Sequence, residues 1–129
     1  MDTIELKDMI EKAFGNTFDF HPAFFEEFVE LTGKSGSQRK LIKQFVERLH
    51  AIIALGNIEC GLKWLEKLKK YDNMYSLHLD ADSKNYRLLF SKNNNGKYFL
   101  RMFYEKSGKA ATSYAPNVAI AISRRDDKN

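Results

Sequence analysis

The chain of 129 residues is 43% hydrophobic and 29% charged, enough apolar side chains for one core and too few residues for two full-sized domains. Lysine and arginine number 21 against 17 aspartates and glutamates, and the formal charge of +4 is unevenly spread: residues 1–36 carry −5 and residues 37–129 carry +9. The later part is the one that would attract a polyanion. A single cysteine, Cys60, excludes an internal disulfide, a zinc ribbon and a Cys-rich metal site, and fits a reducing cytoplasm. Residues 1–5 lack the basic start and apolar stretch of a signal peptide. No apolar run approaches the roughly 18 residues of a membrane span, so neither secretion nor membrane insertion is expected.

In chain order, Ile4, Leu6, Met9, Ile10, Ala13 and Phe14 fall near helical spacing, with Asp2 or Thr3 as cap and Gly15-Asn16 as stop. Thr17–Phe20 alternates like a brief strand. His21-Pro22 opens a second helix through Phe24, Phe25, Phe28, Val29 and Leu31, which Gly33–Ser37 breaks. From Gln38 the pattern Leu41, Ile42, Phe45, Val46, Leu49, Ile52, Ile53 predicts a third helix to about Leu55, ended by Gly56-Asn57. Two helices joined by a short Gly/Ser turn make an αα-hairpin. Leu62, Trp64, Leu65 and Leu68 then suggest a helical turn.

Beyond this point the period changes from 3.6 to 2. Tyr75, Leu77 and Leu79 alternate with Ser76, His78 and Asp80, while Tyr86, Leu88 and Phe90 alternate with Arg87, Leu89 and Ser91. A tight turn at Asp82-Ser83 pairs Leu79 with Tyr86, Leu77 with Leu88 and Tyr75 with Phe90. That register sets His78 opposite Arg87 on the other face. Asn93–Gly96 is the next turn, read as a three-residue loop with Gly96 at positive φ and Asn93 closing against Lys97. In that register Leu100, Met102 and Tyr104 lie beside Phe90, Leu88 and Tyr86, and Arg101 joins the face of His78 and Arg87. In the last segment Val118, Ile120 and Ile122 alternate as in a strand, yet Pro116 suits a first helical turn and Arg124-Arg125 a helix C-terminus.

Strand, αα-hairpin, three-stranded meander and a final Ala121-x-x-Arg124 occur here in one order, and the chain resembles the RelE/ParE toxin superfamily in its HigB-like branch. The likeness is carried by the run from Leu65 to Tyr75, by Asn85-Tyr86-Arg87-Leu88-Leu89-Phe90, by Tyr104-Glu105-Lys106 and by Ile120-Ala121-Ile122-Ser123-Arg124. It covers about residues 16–126. The resemblance implies a single α+β domain over residues 1–129. Its small antiparallel sheet, a short N-terminal strand plus the meander, would pack on the αα-hairpin, with residues 115–126 as a C-terminal helix. Residues 1–15 remain an accessory helix outside the resemblance, which their acidic neighbourhood should keep away from the RNA face while their apolar stripe docks on the αα-hairpin or an antitoxin helix.

It also implies the toxin of a type II toxin–antitoxin system, neutralised by a cognate antitoxin, that cleaves mRNA on the ribosome without metal or cofactor. In such enzymes a nucleotide 2′-hydroxyl attacks the adjacent phosphate while cations on the open sheet face hold the developing charge. Two departures stand out. The strand motif Leu-Tyr-Glu-Leu-Arg reads Met74-Tyr75-Ser76-Leu77-His78, and the basic pair after the last strand reads Lys106-Ser107, with Lys109 further on.

Arg87 is the leading catalytic candidate, because a guanidinium can fork onto two phosphate oxygens. His78 would handle a proton, its pKa lowered by Arg87, with Lys106 as a third catalytic group. Arg101, Lys67, Lys69, Lys70, Lys109 and Arg124 form a basic periphery, and Tyr114 could stack on a base. His21 and His50 read as structural or surface residues, and Trp64 and the Phe/Leu/Ile stripes as core. No phosphate loop, His-x-Glu or Cys-x-x-Cys motif, or nucleophile elbow is present. The alternative function is a non-catalytic module of the same fold, either a gyrase-poisoning toxin or a relative that only binds its antitoxin.

Overall fold

The computed structural model describes residues 1–33, 36–56, 62–93, 96–106 and 110–127. The order is α1 (Thr3–Phe14), β1 (Phe18–Phe20), α2 (Phe24–Thr32), α3 (Gln38–Leu55), β2 (Leu65–Lys67), β3 (Met74–Ala81), β4 (Lys84–Asn93), β5 (Gly96–Glu105) and α4 (Ala110–Asp127). The fold is α+β. Its five strands stand in the order β1-β5-β4-β3-β2, with β1 parallel to β5 and every other pair antiparallel. Among the described residues no helix is long and apolar enough to cross a membrane.

Asp2 caps α1 in a reciprocal box with Glu5: the Glu5 N–H donates to Asp2 Oδ1 at 2.8 Å and the Asp2 N–H to Glu5 Oε1 at 3.2 Å. The helix buries Leu6, Ile10 and Phe14 in the main core and leaves Ile4 72% exposed. Its stripe thus docks on the αα-hairpin, with Phe14 edge-on to His50 of α3. Three wholly buried side chains join it to the main core.

The β3–β4 register is the one expected: Leu77 faces Leu88, His78 faces Arg87, and Asp82 and Ser83 turn at φ 52° and 66°. Two consecutive positive φ values give the hairpin turn whose twist matches its strands. Two expectations are corrected. Residues 65–67 are a strand and not a helical turn, because pairing Leu65 with Leu77 and Lys67 with Tyr75 satisfies the outer edge of β3. The β4–β5 turn closes on Asn93 and Gly96, one residue earlier than expected, with Asn94 and Asn95 outside the described residues. A bulge then restores the expected pairs Leu88–Met102 and Tyr86–Tyr104, since Leu89 faces Arg101 while Phe90 faces Phe99.

The bulge decides which residue fills the centre. Phe99, and not Leu100, takes the core side beside Phe90, and its ring lies within 6 Å of those of Phe18, Phe20, Phe24, Phe45 and Phe90. Leu100 turns to the opposite face. There, with Met74, Leu89, Tyr98 and Phe103, it is covered by Val118 and Ala121 of α4. The tail is therefore helical despite its alternation, with Pro116 inside the helix. The face expected to be open is covered over much of its area, and His78 and Arg87 border a cleft that α4 does not line.

Candidate nucleic-acid interface

Pleating carries His78 and Arg87 to the same side of the sheet, and the His78 N–H donates to the Trp64 carbonyl at 2.7 Å, tying that pair to the segment leading into β2. From the helical layer, Gln44 locks α3 against β3: its Oε1 accepts the Asp80 N–H at 2.8 Å and its amide donates to the Asp80 carbonyl at 3.3 Å. One turn further on, Arg48 reaches the same place. Its guanidinium lies 5.5 Å from the centre of the Trp64 ring and 3.9 Å from Asp80 Oδ1. The result is a cleft of about 260 Å³ lined by Arg48, Trp64, His78, Asp80, Asn85 and Arg87, with exposed Lys63 beside them. Lining cations outnumber carboxylates three to one.

Much of the donor capacity in this cleft is unused. Arg48 Nη1, His78 Nε2 and Arg87 Nε are buried without a hydrogen-bond partner. Arg87 Nε does lie 2.5 Å from Glu105 Oε2, an ion pair whose direction satisfies neither atom as a hydrogen bond, and Nη1 donates to the Tyr86 carbonyl at 3.1 Å. Arg87 is therefore not the solvent-open side chain that alternation suggested. Its side chain is 14% exposed and packed against an equally buried carboxylate.

Burial, then the charges of Arg87 and Arg48, lower the His78 pKa to about 4, with Asp80 opposing. The direction is the expected one. The imidazole is neutral at pH 7, with Glu66 Oε2 3.6 Å from its Nε2.

Lys67, Lys69, Lys70 and Tyr114 meet in a second hollow of about 540 Å³, together with Glu66 and Tyr71. The two hollows adjoin at Glu66, which lines the second and touches His78 of the first. Tyr114 is held by a 2.9 Å hydrogen bond to Ser76 and by the edge of Phe103, and burial raises its pKa. Lys106 is exposed just beyond β5, and Lys109 lies outside the described residues, as does Cys60.

Arg101 lies opposite Leu89 on the expected face, but its guanidinium and that of Arg124 turn away from the cleft. Both turn onto Glu27 of α2. Arg124 grips it with two bonds, Nη1 to Oε1 at 2.9 Å and Nη2 to Oε2 at 2.7 Å, and also donates to the Leu100 carbonyl at the bulge at 2.8 Å. Arg101 pairs with Oε2 through Nη1 and donates from Nε to Asn117 at 2.9 Å. They share one carboxylate inside the protein, and they clamp α2, β5 and α4 together.

Arg48 and Asn85 were missed in the sequence, and Trp64 was read only as core. Arg48 sits three residues after Phe45 and one before Leu49, at the margin of the α3 stripe, and that placement was a weak signal of a charge held half inside. Leu89, apolar between Arg87 and Ser91, was the sign that the supposed open face is covered. No family model matches the chain, and no curated protein and no solved structure matches it either.

Proposed function

We propose that the protein is a RelE/ParE-like toxin of a type II toxin–antitoxin system, a cytoplasmic endoribonuclease that cleaves mRNA on the ribosome. The observation that carries this reading is a cationic cleft in which Arg48 Nη1 and His78 Nε2 are buried without hydrogen-bond partners, adjoining at Glu66 a lysine and tyrosine groove. A backbone running along the groove delivers a phosphodiester to His78 and Arg87, and the groove's lysines supply the salt-sensitive part of its affinity.

In the cleavage the ribose 2′-oxygen forms a bond to phosphorus as the 5′-oxygen departs, leaving a cyclic phosphate and a free 5′-hydroxyl. Neutral His78 accepts the 2′ proton and, once charged among arginines, is acidic enough to return it to the leaving oxygen. Arg87 holds the developing charge, typically worth about 10²–10³-fold for one positioned donor. Lys106, exposed beyond β5, stands as a third cation. Purified protein added to translating ribosomes should generate new mRNA 5′ ends. Intact message would overturn the reading.

One observation favours the second reading, a non-catalytic module that binds gyrase or only its antitoxin: Glu105 already occupies the Nε edge of Arg87. Intact message together with blocked gyrase would select it.

A further inference from the structure

Resting on the ribonuclease reading, we infer that Arg48 supplies the second guanidinium of a phosphate site shared with Arg87 and His78. It would take the place of the strand arginine that the resemblance puts at position 78. The cation lost from β3 is thus provided by a helix of the other layer.

The delivery is built into the fold. The two Gln44–Asp80 hydrogen bonds fix α3 at the end of β3, and Arg48, one turn along, is on the same side of the helix. Trp64 supports the guanidinium as a platform, which leaves its edge to seek acceptors. The acceptors present do not suffice. Asp80 Oδ1 is 3.9 Å away on a side chain 66% exposed, and Nη1 is buried with nothing to receive its protons. Burial lowers the Arg48 pKa against Asp80 and Glu47, and Arg87, paired at Nε with Glu105, is close enough to lower it further.

The Glu27 clamp shows how this protein otherwise joins two arginines, with a carboxylate bonded to both. No described residue bridges Arg48 and Arg87 in that way. An anion with several oxygens, a phosphate group, answers that arrangement of donors.

The test is an NMR titration of the full chain with inorganic phosphate and, separately, with a 2′-O-methyl dinucleotide that cannot be cleaved. Either ligand should shift the Trp64 indole signal and raise the His78 pKa, because a group that binds better to the imidazolium must favour its formation reciprocally. Arg48→Gln should weaken binding about tenfold, the scale of one charge-assisted contact, and Arg48→Lys should recover part of it. Binding of either probe with this dependence upholds the site, and the tighter of the two identifies free phosphate or polynucleotide as its source. Thermal melting establishes that both variants are folded. A folded Arg48→Gln protein that binds both probes like wild type overturns the inference, as does a wild-type protein that binds neither, even where mRNA is cleaved. Arginine-dependent binding with intact message leaves the anion site standing and removes the ribonuclease reading.

Discussion

Two pairs of arginines lie against the same sheet and differ in what stands between them. Arg101 and Arg124 enclose Glu27, whose Oε1 also receives the Met102 N–H at 3.3 Å. Arg48 and Arg87 line a cleft with no carboxylate bonded to both: Arg48 Nη1 lacks a hydrogen-bond partner, and Arg87 Nε is ion-paired with Glu105 alone. The first pair is spent on joining helices to strands, whereas in the second Glu105 meets only the Nε edge of Arg87 and Asp80 stays 3.9 Å from Arg48, which leaves part of their donor capacity uncommitted. Composition counts the four alike. The difference lies in one carboxylate contributed by a distant helix.

The comparison can be broken in five places, beginning with the largest effect. Arg87→Ala should reduce mRNA cleavage about 1000-fold, at the upper end for a positioned cation, measured by end mapping on translating ribosomes. It also strands the Glu105 carboxylate, so Arg87→Ala with Glu105→Gln is the cleaner version and should remain folded and inactive. A folded double variant with wild-type cleavage would return Arg87 to the structural class.

Glu27→Ala should destabilise by about 3 kcal/mol, because two half-buried guanidiniums lose their counter-charge together. For a domain of this size that corresponds to a fall in Tm of about 10 °C by calorimetry. A melting point unchanged within 2 °C, roughly half a kcal/mol on the same scale, would show that the clamp is not structural.

Stability against pH sharpens the contrast from the other side. With its folded-state pKa depressed to about 4, His78 stays neutral where the unfolded chain takes up a proton, so its contribution is complete above pH 6.5 and is lost as the pH falls toward 4. Denaturant titration across that window should show a loss of about 2 kcal/mol from this residue, discounted because a fifth of the side chain meets solvent. Arg48, Arg87, Asp80 and Glu66 face the ring, and His78→Gln should flatten the slope. A wild-type curve no steeper than that of His78→Gln would contradict a neutral imidazole.

Replacing Lys67, Lys69 and Lys70 together by glutamine should weaken RNA binding about tenfold at low salt and reduce the slope of log affinity against log salt by about 2, three single-strand phosphate contacts being lost. An unchanged slope would place the RNA elsewhere. The smallest effect belongs to Tyr114→Phe, which removes the hydroxyl bonded to Ser76 and should cost about 1 kcal/mol while keeping the ring for stacking. RNA affinity falling further than that would give the hydroxyl a direct part in binding.

The fold was legible wherever pattern is local. Period-2 alternation and the Asp82-Ser83 turn were enough to pair His78 with Arg87, because a strand's faces are fixed once one buried residue on each partner is known. The three helices of the first 55 residues followed from apolar spacing, with a side-chain cap, at Asp2, for α1. Pattern failed at β2, whose three residues take their conformation from the edge they complete. It failed again at the bulge, where one extra residue on β5 turned Leu100 away and gave the core to Phe99. The tail alternated like a strand yet is helical, since its apolar residues serve to cover a face that Leu89 and Phe103 already made unsuited to water.

By itself, then, the sequence determined the α+β class, the helical hairpin, the meander with His78 facing Arg87, and a basic character concentrated after residue 37. Only the tertiary structure decided which cations are free to act. Whether two arginines are joined by one carboxylate depends on what packing brings within about 3 Å of both, and Glu27 lies more than seventy residues from Arg101 while Arg48 lies almost forty from Arg87. Such meetings are set by the stacking of layers and by one bulge. They leave no period in the chain to be read.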